Sequence, residues 1–172
     1  ARLRDLRTCF ASAEAMVQTA KDDAKAITDP LDEREREDLL LAWGEGAEGR
    51  GVKGGARGVK GAQKELEDRQ KSRATRTQRD QLDRALIDLL GFYRDVLAEQ
   101  FGAAVDTSGF INAEMASEIR RVAQEGDAVE TMWRIDAIER ARLALDANVA
   151  PQLAIEALTI DLRRPGLRRA LS

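Results

Sequence analysis

Apolar residues recur every three or four positions along most of this chain, which is the spacing that lines one face of an α-helix. Near the start of the chain, the apolar positions with this spacing are Leu3, Leu6, Phe10, Ala13, Val17, Ala20, Ala24 and Ile27. They predict a helix over residues 2–27 that presents one continuous face to a neighbouring helix. Asp29 and Pro30 favour the end of this helix and the start of a second helix, which would end near Trp43.

Residues 44–61 interrupt the helical pattern, because they contain eight of the 13 glycines and no large apolar side chain. We expect a flexible surface insertion, since such a segment buries too little surface to offset its chain entropy. The Gly-Val-Lys-Gly repeats at 51–54 and 58–61 do not match a phosphate-binding loop. Such a loop needs Lys directly after Gly, then Ser or Thr, and a strand upstream.

The segment 62–101 contains no proline and predicts one long helix. Its second half has an apolar face, formed by Leu82, Leu86, Leu89, Tyr93 and Val96. Residues 64–79 are polar on all sides, so they would project into solvent or lie against a partner. Gly91 would allow another helix to cross closely; the alternative is that it is only tolerated, at a cost of about 1 kcal/mol relative to Ala.

Short helices with short connections follow in the C-terminal half. Asn112 would cap a helix that ends at Gly126, and Asp127 with Glu130 resembles a capping box that starts the next helix. The core of the first would be Met115, Ile119 and Val122, and the face of the second would be Met132, Ile135, Ile138, Ala141 and Leu145. Asn148 tolerates left-handed backbone angles and Pro151 suits a first helical turn, so a helical hairpin is predicted here.

The composition agrees with a helical protein. The chain has 172 residues, of which 43% are hydrophobic, only 4% aromatic and 34% charged, with three prolines. This favours an all-α fold, a multi-helix bundle of about five to six helices, in a single domain over residues 1–172. The net charge of −3 argues against a global positive field for nucleic acid or an anionic membrane. The start at Ala1 suggests a fragment or processed chain.

A cytoplasmic location is expected for three reasons. The lone Cys9 cannot form an intrachain disulfide and is expected to be a small packed hydrophobe. No apolar run approaches the roughly 20 residues needed to span a bilayer. The N-terminus lacks the layout of a signal peptide, so we expect no membrane partner.

The chemistry of the side chains disfavours an enzyme. The chain has no His, which removes the usual general base near neutral pH and the commonest metal ligand. We therefore expect no catalytic, cofactor-binding or metal-binding residue, and no cofactor. The acidic residues at 32–38 alternate with Arg and are interpreted as a solvated, salt-bridged face. Four basic residues of the polar helix are candidates for contact with DNA phosphates, or else belong to a solvated helix: Lys71, Arg73, Arg76 and Arg79.

The predicted hairpin also resembles a known family. The positions that carry the resemblance are Arg140, Ala141, Arg142, Leu145, Asp146, Asn148, Pro151, Leu153, Ala154, Glu156 and Leu158. Their types and spacing resemble the C-terminal end of the delta-prime subunit of the bacterial DNA polymerase III clamp loader. The resemblance is strongest over residues 70–165, and the long glycine-rich insertion departs from it.

The resemblance implies a collar domain, which joins equivalent domains of the ATPase subunits and delta in a ring and so supports sliding-clamp loading in DNA replication. The family's arginine finger and zinc-binding features lie upstream, so no catalytic or metal residue is carried over. The expected function is therefore non-catalytic subunit assembly. The alternative is a helical DNA-binding module that uses the basic stripe within residues 64–79.

Overall fold

The computed structural model describes residues 3, 5–44, 55–103 and 109–163. Within these ranges the elements are α1 (Leu6–Gly44), α2 (Gly55–Gln100), a 3₁₀ turn (Ala113–Met115), α3 (Ala116–Glu125), α4 (Ala128–Asp146) and α5 (Pro151–Arg163). The described ranges contain helices and no strand, so the predicted all-α fold is confirmed.

The described residues form two compact units. Unit 1 combines the residues up to Gln18 with those from Leu82 onward, and unit 2 comprises the residues from Thr19 to Gln81. The single domain predicted over residues 1–172 stays a prediction. In the glycine-rich insertion predicted over 44–61, Gly44 belongs to α1 and residues 55–61 belong to α2. Residues 45–54 lie outside the described ranges.

The predicted break at Pro30 is wrong, because α1 continues through it as one helix of 39 residues. Proline removes one backbone N–H from the helix, but its fixed φ is itself helical. Thr28 and Asp32, on either side of Pro30, are both buried. Side chains of α2 also bond Asp32. Tertiary contacts therefore hold the helix together across a residue that locally favours a break.

The buried face of α1 matches the predicted one at Ala13, Ala20 and Ala24, and differs from it at three large residues. Leu6, Phe10 and Ile27 are about half exposed, at 50%, 44% and 50%. The buried positions are Cys9, Ala13, Ala20, Ala24, Thr28 and Asp32. Small side chains let neighbouring helices approach closely. The face of α1 that carries the small residues therefore points towards its neighbours, and the large residues lie beside that face. Cys9 is fully buried, as predicted, and its thiol donates to the carbonyl of Thr159 at 3.4 Å.

In unit 2, polar side chains join α1 to α2. The Nε2 of Gln70 donates to the carbonyl of Asp32 at 3.0 Å and to a carboxylate oxygen of Glu35 at 3.3 Å. Arg73 donates to Glu35 at 2.9 Å and to Asp32 at 2.5 Å. The solvated, salt-bridged face predicted at 32–38 is therefore wrong for Asp32, which is buried, whereas Glu35 is salt-bridged and its side chain remains 40% exposed. The polar half of α2 lies against α1 of the same chain.

In unit 1, the end of α2 packs with the loop before the 3₁₀ turn and with α3. A buried cluster contains Val96, Phe110, Ile119 and Ala123. Asp95 is fully buried and accepts hydrogen bonds from the backbone N–H groups of Ile111 and Asn112 at 3.0 and 2.8 Å. Its carboxylate also accepts from the side-chain amide of Asn112 at 3.1 Å.

The helices after this cluster begin and end at local caps. The predictions for this region are wrong at Asn112, at Met115, which is 41% exposed and not in the core, and at Met132. Asn112 precedes the 3₁₀ turn rather than α3, and its side chain bonds Asp95 instead of capping a helix. Gly126 ends α3, and an Asp127 carboxylate oxygen accepts from the backbone N–H of Glu130 at 2.8 Å, as predicted. On α4, Met132 is 52% exposed and Thr131 takes its place on the buried face.

Candidate assembly surface

The turn between α4 and α5 is fixed by a helix C-cap. The backbone N–H of Val149 donates to the carbonyl of Ala144 at 2.9 Å, and that of Asn148 donates to Leu145 at 3.1 Å. These two bonds form a Schellman motif, which requires a left-handed residue directly after the cap. Asn148 has φ +62°, so the predicted left-handed turn residue is confirmed.

The second half of the hairpin starts as predicted, at Pro151, the first residue of α5. Proline suits this position because its missing N–H has no partner there in any helix. Among the family-motif residues, Leu145 and Leu158 are buried, with 3% and 2% of their surface exposed. Helices α4 and α5 pack directly against each other. These two leucines therefore belong to the hydrophobic core of unit 1.

The motif arginines bind carboxylates within unit 1. Arg140 pairs with Asp161 of α5 at 3.3 Å. Arg142 makes two hydrogen bonds to the carboxylate of Asp83 on α2, at 2.6 and 3.2 Å. The hydrogen bond to Asp83 raises the pKa of Arg142 above its ordinary value. Both arginines therefore position the hairpin within its own unit.

Glu156 and Leu153 differ in their surroundings. A carboxylate oxygen of Glu156 accepts from the amide of Gln152 at 2.7 Å, one turn earlier in α5. Its carbonyl accepts from the hydroxyl of Thr159 at 2.9 Å. Leu153 is 61% exposed, so it is the motif leucine that the core of unit 1 does not use.

Three large apolar side chains are exposed around the turn, and we call them the turn-end surface: Leu143, Val149 and Leu153. Leu143 lies in the last turn of α4, Val149 in the connection, and Leu153 in the first turn of α5. Their exposed fractions are 66%, 38% and 61%. Exposed apolar residues that occur singly need no explanation, but these three lie within eleven residues of each other at the turn end of the hairpin, which makes this end a candidate contact surface.

The four residues of the predicted basic stripe are not brought together. An open depression of about 450 Å³ in unit 2 is lined by Asp68, Arg69, Ser72, Arg73, Arg76 and Thr77. Lys71 and Arg79 do not line it. At about 100° per residue, Lys71 lies about 160° around the helix from Arg73. Arg69 was missed by the sequence interpretation, although its spacing to Arg73 and Arg76 places all three on one side of the helix.

The guanidinium group of Arg73 is paired with two carboxylates within unit 2. Its hydrogen bonds to Glu35 and Asp32 raise its own pKa above the ordinary value. In turn, the hydrogen bond from Arg73 lowers the pKa of Glu35 to about 2, with a further contribution from Gln70. Any DNA phosphate near Arg73 would therefore compete with two carboxylates. Contact between the basic residues and DNA stays a prediction.

Across the part of the chain that the structure describes, no group of three or more Cys, Asp or Glu side chains is arranged to hold a metal ion. None of the helices in the described ranges is both long and apolar enough to cross a membrane. Comparison with models of known families, with curated proteins and with solved structures finds no match to this chain.

Proposed function

We propose that this chain is a non-catalytic assembly domain, similar to the C-terminal collar domain of a delta-prime-like clamp-loader subunit. In this role it joins the ATPase subunits and delta of the loader in the cytoplasm, and so supports loading of the sliding clamp during DNA replication. The observation that carries the proposal is the turn-end surface on a hairpin whose turn is fixed by Asn148 and Pro151.

The hairpin divides the motif residues into two kinds. Leu145 and Leu158 fill the core, while Arg140 and Arg142 bind Asp161 and Asp83. These contacts hold the two helices in one arrangement, which reduces the entropy lost when a partner binds. Leu153 contributes nothing to that core, and with Leu143 and Val149 it supplies apolar area that the described residues leave exposed and that a partner would bury.

The size of the surface suits one contact among several. Burying a leucine side chain is worth about 1.5–3 kcal/mol, so three such residues supply only part of the affinity of a stable complex. In a ring of collar domains, each domain has neighbours on two sides and the contacts add. We therefore expect weak pairwise binding and a stable complex only when all subunits are present.

The test is light scattering after size exclusion, with the chain alone and mixed with the collar domains of the ATPase subunits and delta. The expected result is a defined hetero-oligomer that Leu153→Asp abolishes or weakens by at least about tenfold, since it places a charge in an apolar contact. The matched control is Leu40→Asp in unit 2, because Leu40 is 62% exposed and Leu153 is 61% exposed.

Failure of the unaltered chain to associate with those subunits would overturn the proposal. An equal loss with Leu40→Asp would also contradict it, because the turn-end surface would then have no special role. Both variants replace exposed residues, so circular dichroism should show unchanged helix content. A folded Leu153→Asp chain that still assembles normally would exclude the turn-end surface as the contact.

The second candidate function is a weak DNA contact by unit 2, favoured by the depression that Arg69, Arg73 and Arg76 share. It predicts retardation of primed or duplex DNA that weakens steeply with salt, because phosphate contacts release counterions. Arg69→Gln with Arg76→Gln should abolish the retardation, while Lys71→Gln should leave it unchanged. Retardation that depends equally on Lys71 would show that only general positive charge matters.

A further inference from the structure

Unit 2 has little apolar core of its own. The buried side chains of its part of α1 are Ala20, Ala24, Thr28 and Asp32, and those of its part of α2 are Leu66 and Gln70. Leu66 is the only large apolar side chain that is buried among the described residues of this unit. Long helices gain most of their stability from burying an apolar face. Two helices with such small contacts are therefore expected to be stabilised by another helix.

One side of α1 offers a surface for that helix. We call it the α1 seam, and it consists of Leu31, Arg34, Asp38 and Leu41. These residues follow each other at spacings of three, four and three, which is the spacing of the core positions of a coiled coil. All four are exposed, Leu31 by 46% and Leu41 by 64%. The four exposed residues therefore lie on one side of α1, where a second helix can lie beside them.

The order of residues in the seam indicates what the second helix is. It has leucine at both ends and one charge of each sign between them, with the positive charge first. In an antiparallel pair of identical seams, each Leu31 faces Leu41 of the second copy, and each Arg34 faces Asp38 of the second copy. In a parallel pair, Arg34 would face Arg34 and Asp38 would face Asp38, which is repulsive.

We infer that this chain pairs with a second copy of itself through the α1 seam, with the two α1 helices antiparallel. The contact is isologous, so it closes at two copies and does not propagate into a filament. The α1 seam belongs to unit 2, whereas the turn-end surface belongs to unit 1. The seam spans only about three helical turns, so the dimer is weak and forms at high micromolar concentration.

One residue beside the seam opposes the pairing and provides a further test. In the antiparallel register, Glu37 lies at the edge of the contact and near Glu37 of the second copy. Two carboxylates at that edge repel each other. Glu37→Gln is therefore expected to tighten the dimer, whereas a seam that does not self-associate would give no response to this change.

The experiment is sedimentation equilibrium of the full chain over a wide concentration range. Arg34→Glu and Asp38→Arg are each expected to raise the dissociation constant of the dimer by about tenfold, because the dimer contains the Arg34 and Asp38 pair twice and each variant turns attraction into repulsion. The double variant Arg34→Glu with Asp38→Arg restores opposite charges across the contact. It is expected to dimerise like the unaltered chain.

The matched control is Arg36→Glu, an identical change of charge on the outward side of the same helix. A chain that remains monomeric at millimolar concentration would overturn the inference. A dimer that the single variants leave intact, or that the double variant fails to restore, would overturn it as well. Seam variants should leave association with clamp-loader subunits unchanged, so this inference and the proposed function can fail separately.

Discussion

The buried carboxylate of Asp95 is expected to be the most sensitive polar position of unit 1. It is 0% exposed and accepts three hydrogen bonds from the segment Ile111–Asn112, two of them from backbone N–H groups. These bonds attach the loop before α3 to the end of α2. The perturbation we choose is Asp95→Asn, which keeps the size of the side chain but removes its charge and one acceptor oxygen.

The magnitude follows from those bonds. A hydrogen bond to a charged group contributes about 1.5–3 kcal/mol, and leaving a buried donor without a partner costs about 1–3 kcal/mol. Asp95→Asn keeps one acceptor and is expected to lower the free energy of unfolding by about 2 kcal/mol. Asp95→Ala removes these three bonds and also the ion pair with Arg94 at 3.2 Å, but water can reach Arg94 and the partly exposed segment, so we expect a loss of about 3–5 kcal/mol.

The assay is urea unfolding followed by circular dichroism, together with hydrogen exchange of the Ile111 and Asn112 amides. The control is Asp88→Asn, which makes the same chemical change at an exposed position two turns earlier in α2. If Asp95→Asn and Asp88→Asn destabilise the chain equally, the three bonds contribute nothing and the reasoning is refuted. Faster exchange at Ile111 and Asn112 in the Asp95 variant alone would support it.

Three further predictions concern the backbone of α2, the unit 2 ion pairs and the hairpin turn. Gly61→Ala should raise the free energy of unfolding by up to about 1 kcal/mol, since nothing lies within 4 Å of the new methyl group. Gly91→Ala should not raise it, because the new methyl group would lie 3.3 Å from the side-chain amide of Asn112, which Asp95 holds in place. Urea unfolding of the two variants would disprove this if both gained equally. The pKa of Glu35 is lowered to about 2 from an ordinary value of 4.5, so its stabilising contribution is complete above 4.5 and disappears as the pH falls from there towards 2. Acid unfolding should show this loss in the unaltered chain and not in Glu35→Gln, and identical acid curves would contradict it. Asn148→Ala should cost about 1 kcal/mol more than Asn148→Gly, because Asn148 has φ +62° and only glycine adopts that angle without strain. Calorimetry that found equal costs would exclude backbone strain as the cause.

Sequence reasoning succeeded where the cause of a feature is local. Asn148 and Pro151 act through their own backbone preferences, and Asp127 caps a helix that begins at the next residue. The spacing of apolar residues likewise predicted the helices of the C-terminal half, and the structure confirms them. In each case the residues that decide the structure lie within a few positions of each other, so no knowledge of the tertiary fold is needed.

Prediction from the sequence failed where the residues that contact each other are distant in the chain. Pro30 locally favours a break, yet Asp32, two residues later, is bonded by Gln70 and Arg73, about 40 positions away. On α1, Ala13, Ala20 and Ala24 are buried as predicted. Leu6, Phe10 and Ile27 were expected on the same face but are about half exposed, because close approach of the helices favours small side chains. Asp95 was missed because its donors come from a loop that no periodicity connects with α2.

The two proposed surfaces lie in different units, and this has a consequence for measuring them. Leu153 and the other turn-end residues belong to unit 1, while the α1 seam belongs to unit 2. Effects of substitutions on binding add when the residues share no contacts and no partner. In a chain with both Leu153→Asp and Arg34→Glu, association with clamp-loader subunits should therefore weaken as much as in Leu153→Asp alone. Dimerisation should weaken as much as in Arg34→Glu alone. A marked departure of either association from its single-variant value would mean that the two contacts are coupled, and that neither surface acts alone.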